Sequence, residues 1–311
     1  MILHVLRTAL PILLAILWAG AASAQSANGT VSFDNTVQSR TFDRPVSYAL
    51  YLPPGYATDT RAYPVVYLLH GGATGQPSDW FTLAQIDQVL DRLIAEGRIP
   101  PVIAVAPDGR RDAANRVATY FMNDADGIMR WEDMFHDDFV PAIELRYRTL
   151  GAEGNRTLLG ISMGGVAATF YQLRRPEVWA GAAALGGAFR TEAQIDALSA
   201  EAYEVRYGGW FGPGLTGEAR LDAARVRGDI GAILGDTDKT AFQRIPLLYL
   251  DIGADDPFFE GNALAHMDLR NAGIRHRFVA REGGHDWPYW RDGLDEALLH
   301  LSAILTRDYG E

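Results

Sequence analysis

The chain has 311 residues, 48% of them hydrophobic and 22% charged, a balance that suits a folded globular protein and excludes disordered or collagen-like sequence. Its formal net charge of −11 gives no electrostatic footprint for nucleic acid and argues against an anionic membrane surface as partner. There is no cysteine, which rules out disulfides, thiolate metal sites and a cysteine nucleophile, and which suits export to an oxidising compartment.

Residues 1–24 read as a secretory signal peptide. Arg7 supplies the positive start, Ala9 to Ala21 is almost wholly apolar, and Ala22-Ser23-Ala24 is an Ala-x-Ala cleavage site followed by Gln25. Pro11 interrupts the apolar run, which is short for a membrane span. The expected product is a single domain over 25–311, secreted or periplasmic, with no membrane attachment after cleavage.

Val31 to Val37 and Val46 to Leu52 alternate polar with apolar residues, the pattern of an antiparallel edge hairpin. Pro64 to Leu69 is a short apolar run closed by Gly71-Gly72, which predicts a buried parallel strand. Helical spacing follows over Ile86 to Glu96, then a strand at Val102 to Val105 that stops at Pro107-Asp108-Gly109. The segment Trp131 to Tyr147 predicts a helix, Thr157 to Leu159 a strand, and Met163 to Leu173 a helix ended by Pro176. Gly181 to Leu185, Pro246 to Leu250 and Arg277 to Ala280 predict further strands, and Leu294 to Leu305 a closing helix. Strands alternating with helices mean a mostly parallel central sheet with helices on both faces. The stretch 187–243 breaks the alternation and is expected to form a helical insertion over the sheet edge, able to act as a lid.

The chemistry concentrates at Gly160-Ile161-Ser162-Met163-Gly164-Gly165. It follows an apolar strand and opens a helix, the context a nucleophile elbow requires. There Ser162 would project from a sharp bend, and the Met163 N–H would lie at a helix N-terminus, where an oxyanion is favoured. A nucleophilic serine needs a base and the base an orienting acid. His285, in Glu282-Gly283-Gly284-His285-Asp286-Trp287 after the last strand, stands where this architecture would place the base. The remaining histidines suit structural or surface roles, with His70 shaping the loop that follows the first core strand. That loop, His70-Gly71-Gly72-Ala73, would offer the Gly72 N–H as second oxyanion donor beside Met163. The acid should come from Leu250-Asp251-Ile252-Gly253-Ala254-Asp255-Asp256. Asp251 is still within the strand, and spacing does not separate Asp255 from Asp256.

Three aromatic groups are candidates for holding substrate: Tyr120 in Thr119 to Asp124, Trp210 beside Phe211 in the insertion, and Trp287 in Trp287-Pro288-Tyr289-Trp290. Asn123-Asp124-Ala125-Asp126-Gly127 resembles the start of a calcium loop but lacks its later ligands and reads as an acidic turn. No metal or cofactor is expected, since serine-based acyl transfer does not ask for one.

These motifs resemble the esterase-D-type α/β hydrolases, the putative esterase family. That family includes S-formylglutathione hydrolases, feruloyl and acetylxylan esterases of the carbohydrate esterase 1 group, and mycolyltransferases of the antigen 85 group. The resemblance runs from about 45 to 305 and rests on Tyr51-Leu52-Pro53-Pro54-Gly55-Tyr56, Leu69-His70-Gly71-Gly72 with Trp80, Arg130 to Phe135, the Ser162 elbow, and Gly284 to Trp290. It implies an α/β-hydrolase fold with antiparallel N-terminal strands and a Ser–His–acid triad. It also favours Asp256 as the acid, because the family's acid commonly precedes a Pro-Phe-like pair, here Pro257-Phe258. The implied function is hydrolysis of feruloyl, acetyl or other short acyl or aryl esters, on a small-molecule or carbohydrate-linked substrate. The alternative is transfer of the acyl group to a sugar hydroxyl, which would use the same residues. A non-catalytic binding protein on the same scaffold is a third class.

Overall fold

Short apolar runs that carry few polar side chains must be covered on both faces, and here they build the middle of one sheet. The structure, a computed structural model, describes residues 28–305 except 73, 113, 115, 152–154, 237–238 and 243–247. The signal-peptide expectation and Ala73 therefore lie outside the described residues.

The hairpin β1 (Thr30–Ser39) and β2 (Arg44–Leu52) is antiparallel, and β2 also pairs antiparallel with β4 (Ile103–Pro107). The strands β3 (Val65–Leu69), β4, β5 (Arg156–Ile161), β6 (Gly181–Leu185), β7 (Leu248–Gly253) and β8 (His276–Arg281) then run parallel. The eight strands lie in the order β1-β2-β4-β3-β5-β6-β7-β8. This is the α/β-hydrolase arrangement that the motifs implied.

Alternation along β3 separates two cores. Val65, Tyr67 and Leu69 pack on one face with helix α2 (Met163–Arg174), which brings Val166 and Phe170. Val66 and Leu68 pack on the other with α1 (Ile86–Ala95) and α4 (Trp287–Leu305). Leu90, Leu93, Leu294 and Leu298 form this second core at helical spacing. Helix α3 (Phe259–Asn271), between β7 and β8, adds Ala265 and Leu269 to the first core.

Two elements differ from their sequence expectation for local reasons. Trp131 to Arg146 is helical, but Met134–Phe139 is a π-helical turn rather than α. The widening sits just before Pro141, which has no N–H to continue the ordinary ladder. Helix α4 starts at Trp287 rather than Leu294. Asp286 Oδ1 accepts the Tyr289 N–H (3.0 Å), and Pro288 falls in the first turn, where its missing N–H costs nothing.

Between β6 and β7 come short helices: Glu192–Asp196, Ala200–Tyr203, Gly209–Phe211, Gly217–Gly228 and Ile230–Asp236. Tyr203, Tyr207, Trp210 and Phe211 are buried and join the core on the α2 side. Among the described residues no helix is long and apolar enough to cross a membrane.

Register decides what meets at the sheet's C-terminal edge. Leu69 pairs with Gly160, Ile161 with Leu185, Leu185 with Asp251, and Gly253 with Arg281. The loops that leave β3, β5, β6, β7 and β8 therefore start side by side.

Candidate active site

The turn between β5 and α2 is tight because Gly160 has no side chain: a Cβ there would lie 2.0 Å from the Gly164 carbonyl oxygen. Ser162 at its apex has φ 52° and ψ −117°, a conformation that costs a non-glycine residue roughly 1–3 kcal/mol. The surroundings hold it there. Its N–H donates to the Leu185 carbonyl (3.1 Å), and its own carbonyl accepts from Gly165, Val166 and Ala188.

Met163 opens α2, so its N–H belongs to the helix's unsatisfied first turn. Gly71 and Gly72 pass directly alongside. A Cβ on Gly71 would be 3.6 Å from Ser162 Cβ, and one on Gly72 3.4 Å from Met163 Cβ. His70 anchors this loop from behind. Its Nδ1–H donates to the Gly71 carbonyl (2.7 Å) and its Nε2 accepts from the Gly109 N–H (2.9 Å). Burial holds the His70 pKa below its ordinary value, so the ring is neutral and structural.

The loops after β7 and β8 are tied together, with the Ala254 N–H donating to Arg281 and the Asp255 N–H to Gly283. This sets His285 against Asp256. The His285 Nδ1–H donates to Asp256 Oδ2 at 2.7 Å, which leaves Nε2 to accept from the Ser162 hydroxyl at 2.8 Å. Asp256 is buried, and its other oxygen accepts the Phe258 N–H (2.8 Å). Behind the pair passes Gly186 with φ +56°, where a Cβ would stand 3.2 Å from Asp256 Oδ2 and 2.7 Å from Trp290 Nε1.

The other two aspartates have different surroundings. Asp255 is exposed. Asp251 is fully buried and takes bonds from Tyr249 (3.0 Å), Tyr289 and the Arg281 guanidinium (2.9 and 3.0 Å). Burial first, and then this carboxylate, raise the Tyr249 and Tyr289 hydroxyl pKa values.

Ser162 and His285 open into a cavity of about 910 Å³, whose walls include Tyr120, Phe258, Trp287 and Trp290. The Phe258 ring meets His285 edge-on at 4.8 Å. Of the three aromatic candidates, Tyr120 and Trp287 line this cavity. Trp210 does not: it sits behind Tyr120, 5.0 Å between ring centroids, and lines a neighbouring cavity of about 460 Å³. The helices after β6 carry Trp210 down onto Phe170 of α2, and sequence position alone could not give that direction.

Arg190 was not singled out from the sequence, although it lines both cavities. The available signal was Gly186-Gly187 directly after a strand, a pattern matching Gly71-Gly72. The acidic turn near residue 124 is bonded to neighbouring segments: Asp124 pairs with Arg111 (2.5 Å) and the Asn123 amide donates to Asp133 (2.9 Å). Among the described residues no group of three His, Cys, Asp or Glu could hold a metal ion.

An esterase of Mycobacterium tuberculosis is 28% identical over 247 residues, covering 75% of this chain and 51% of that protein. An endo-1,4-beta-xylanase/feruloyl esterase of Xylanibacter ruminicola is 30% identical over 136 residues, covering 42% of this chain and 18% of its own. The chain thus spans about half the length of the first relative and under a fifth of the second. The solved structure of a ferulic acid esterase superposes with a TM-score of 0.73 at 24% identity, covering 89% of this chain and 99% of the other. The sequence pattern of the family described as "Putative esterase" matches residues 39–301, and the chain belongs to that family.

Proposed function

We propose that the protein is an exported serine carboxylic ester hydrolase that works through an acyl-Ser162 intermediate. The observation that carries this reading is the unbroken chain from Ser162 Oγ to His285 Nε2 (2.8 Å) and from His285 Nδ1 to Asp256 (2.7 Å). His285 takes the Ser162 proton as the hydroxyl oxygen attacks the ester carbonyl, then gives it to the leaving alkoxide. Asp256 fixes the imidazole tautomer and stabilises the imidazolium. The Gly72 and Met163 N–H groups face the tetrahedral oxyanion, and each such donor is worth on the order of 100- to 1,000-fold in rate. Water then repeats the attack on the acyl-serine, with His285 as base, and releases the acid.

The substrate class is a feruloyl, acetyl or other short acyl or aryl ester, with Tyr120 and Trp287 as walls of the site. The names of the relatives and the aromatic lining support this. Export rests on the character of residues 1–24, and an N-terminus at Gln25 on protein recovered outside the cytoplasm would test it.

The test is turnover of p-nitrophenyl acetate, butyrate and octanoate and of methyl ferulate by wild type and Ser162→Ala. Wild type should hydrolyse at least one of them. Ser162→Ala should lose roughly four or more orders of magnitude in kcat. Near-native turnover by Ser162→Ala would overturn the assignment.

A further inference from the structure

The lining of the cavity that holds Ser162 carries more arginine than carboxylate, in a chain of net charge −11. Two arginines line it, Arg190 and Arg206, and neither has a carboxylate partner among the described residues. Arg190 is half-buried. Its Nη1 donates to the Tyr207 hydroxyl (3.0 Å) and, at 3.4 Å, to that of Tyr120, and its guanidinium lies 4.5 Å from the centroid of Phe258. Among the described residues Arg206 donates only to the Ala202 carbonyl, one turn back, at 3.4 Å. The lining also includes a carboxylate, Asp79, which is buried and accepts the Gln76 N–H of its own loop (3.0 Å).

A partly desolvated guanidinium ordinarily meets an anion. Several other arginines in this protein do so, Arg281 with Asp251, Arg111 with Asp124 and Arg156 with Glu144, while the buried Arg220 is instead filled by backbone carbonyls such as that of Leu198 (2.9 Å). Arg190 instead is held by two neutral hydroxyls and an aromatic face, which orient it without neutralising it. Phe258, on which it stacks, is in turn packed against His285. The position is therefore fixed close to the reacting atoms.

We propose that Arg190, assisted by Arg206, is an anion-binding subsite, and that the ester this enzyme takes carries a free carboxylate on its acid or alcohol part. The inference rests on the serine-esterase reading above and specifies its substrate class. The planar fork of Arg190 would take the carboxylate in place of solvent, and the cationic wall would draw anionic esters into a negatively charged protein.

The experiment compares two matched pairs. p-Nitrophenyl hemiglutarate against p-nitrophenyl butyrate puts the carboxylate on the acid side. 4-Acetoxybenzoate against phenyl acetate puts it on the alcohol side. Loss of Arg190 also removes support from Tyr120 and Tyr207, so the readout is the ratio of kcat/KM, charged over neutral. In Arg190→Gln this ratio should fall by about 10- to 100-fold for one of the pairs, and Arg190→Lys should recover part of it. A ratio unchanged within threefold for both pairs would overturn the proposal. If wild type turned over none of these four esters and none of the p-nitrophenyl and ferulate panel above, the esterase reading would be the one to fail. Without turnover of the four, the subsite is judged by calorimetric binding of the charged esters to Ser162→Ala, with and without Arg190→Gln: a tenfold loss of affinity supports it, and equal affinity overturns it.

Discussion

Asp251 and Asp256 sit five residues apart on β7 and the loop that follows it, both buried, and they differ in everything else. Asp251 lies inside the sheet's end, where one arginine and two tyrosines fill its oxygens. Asp256 has one oxygen on a backbone N–H and gives the other to His285, whose far nitrogen faces the cavity. The first carboxylate is closed: nothing remains for a substrate to perturb. The second is one end of a chain whose other end is the Ser162 hydroxyl. Burial of a charge is common to both, so burial alone does not mark a functional acid. What marks it is a partner that can itself exchange a proton with the cavity.

The largest effects should separate the two carboxylates. Asp256→Asn keeps the shape but removes the charge that selects the His285 tautomer. It should lower kcat by about 10⁴-fold while leaving the thermal midpoint nearly unchanged. The exposed Asp255→Asn serves as the control and should change neither. Asp251→Asn should do the reverse. It leaves the half-buried Arg281 without its countercharge, which should cost about 3 kcal/mol or more of stability while kcat stays within a few-fold. Chemical denaturation and ester kinetics on the three variants check this together. If Asp251→Asn abolished turnover in a folded protein, the two carboxylates would be one functional unit and the contrast would fail.

The same contrast explains what could be read in advance. β3, β6 and the elbow are legible because their signals are local: an apolar run bounded by Pro or Gly, and glycines at fixed offsets around Ser162. The hairpin over Thr30–Leu52 is legible from partial alternation, whereas the irregularity between Ser32 and Asn35 and the continuous burial of Tyr48, Ala49, Leu50 and Tyr51 are not. Asp255 and Asp256 are not separable by spacing, since the choice depends on the turn in which the Asp256 N–H donates to the Gly253 carbonyl (3.1 Å). Helix α4 is only partly legible because Pro288 reads as a breaker unless the Asp286 cap is known. Trp210 looks like a substrate wall because its neighbours are aromatic, and only the packing of the helices after β6 turns it behind Tyr120. Arg190 has only the glycine pair Gly186-Gly187 before it as a sequence signal. Its meaning comes from the carboxylate that is absent beside it among the described residues, a relation between distant segments.

A smaller effect extends the comparison to histidines. His285 is open to the cavity at Nε2 through Ser162, whereas both nitrogens of His136 are occupied by the fold. Its Nδ1–H donates to the Glu132 carbonyl (2.8 Å), and its Nε2 accepts from the Trp179 indole N–H (3.1 Å). Burial is the main cause that brings the folded pKa of His136 down to about 4 from an ordinary value of roughly 6.5. The folded state thus binds the proton less readily than the unfolded chain does. The stabilisation is complete above about pH 6.5 and is lost progressively as pH falls toward 4, up to about 3 kcal/mol in all. His136→Phe strands the Trp179 N–H and should be less stable at pH 7, yet it should lose less stability than wild type between pH 6.5 and 4. Urea midpoints for both proteins across that window measure the difference, with the titration of the carboxylates they share cancelling. Parallel slopes would mean that water reaches His136 in the folded protein, and its closed setting would no longer stand in contrast to that of His285.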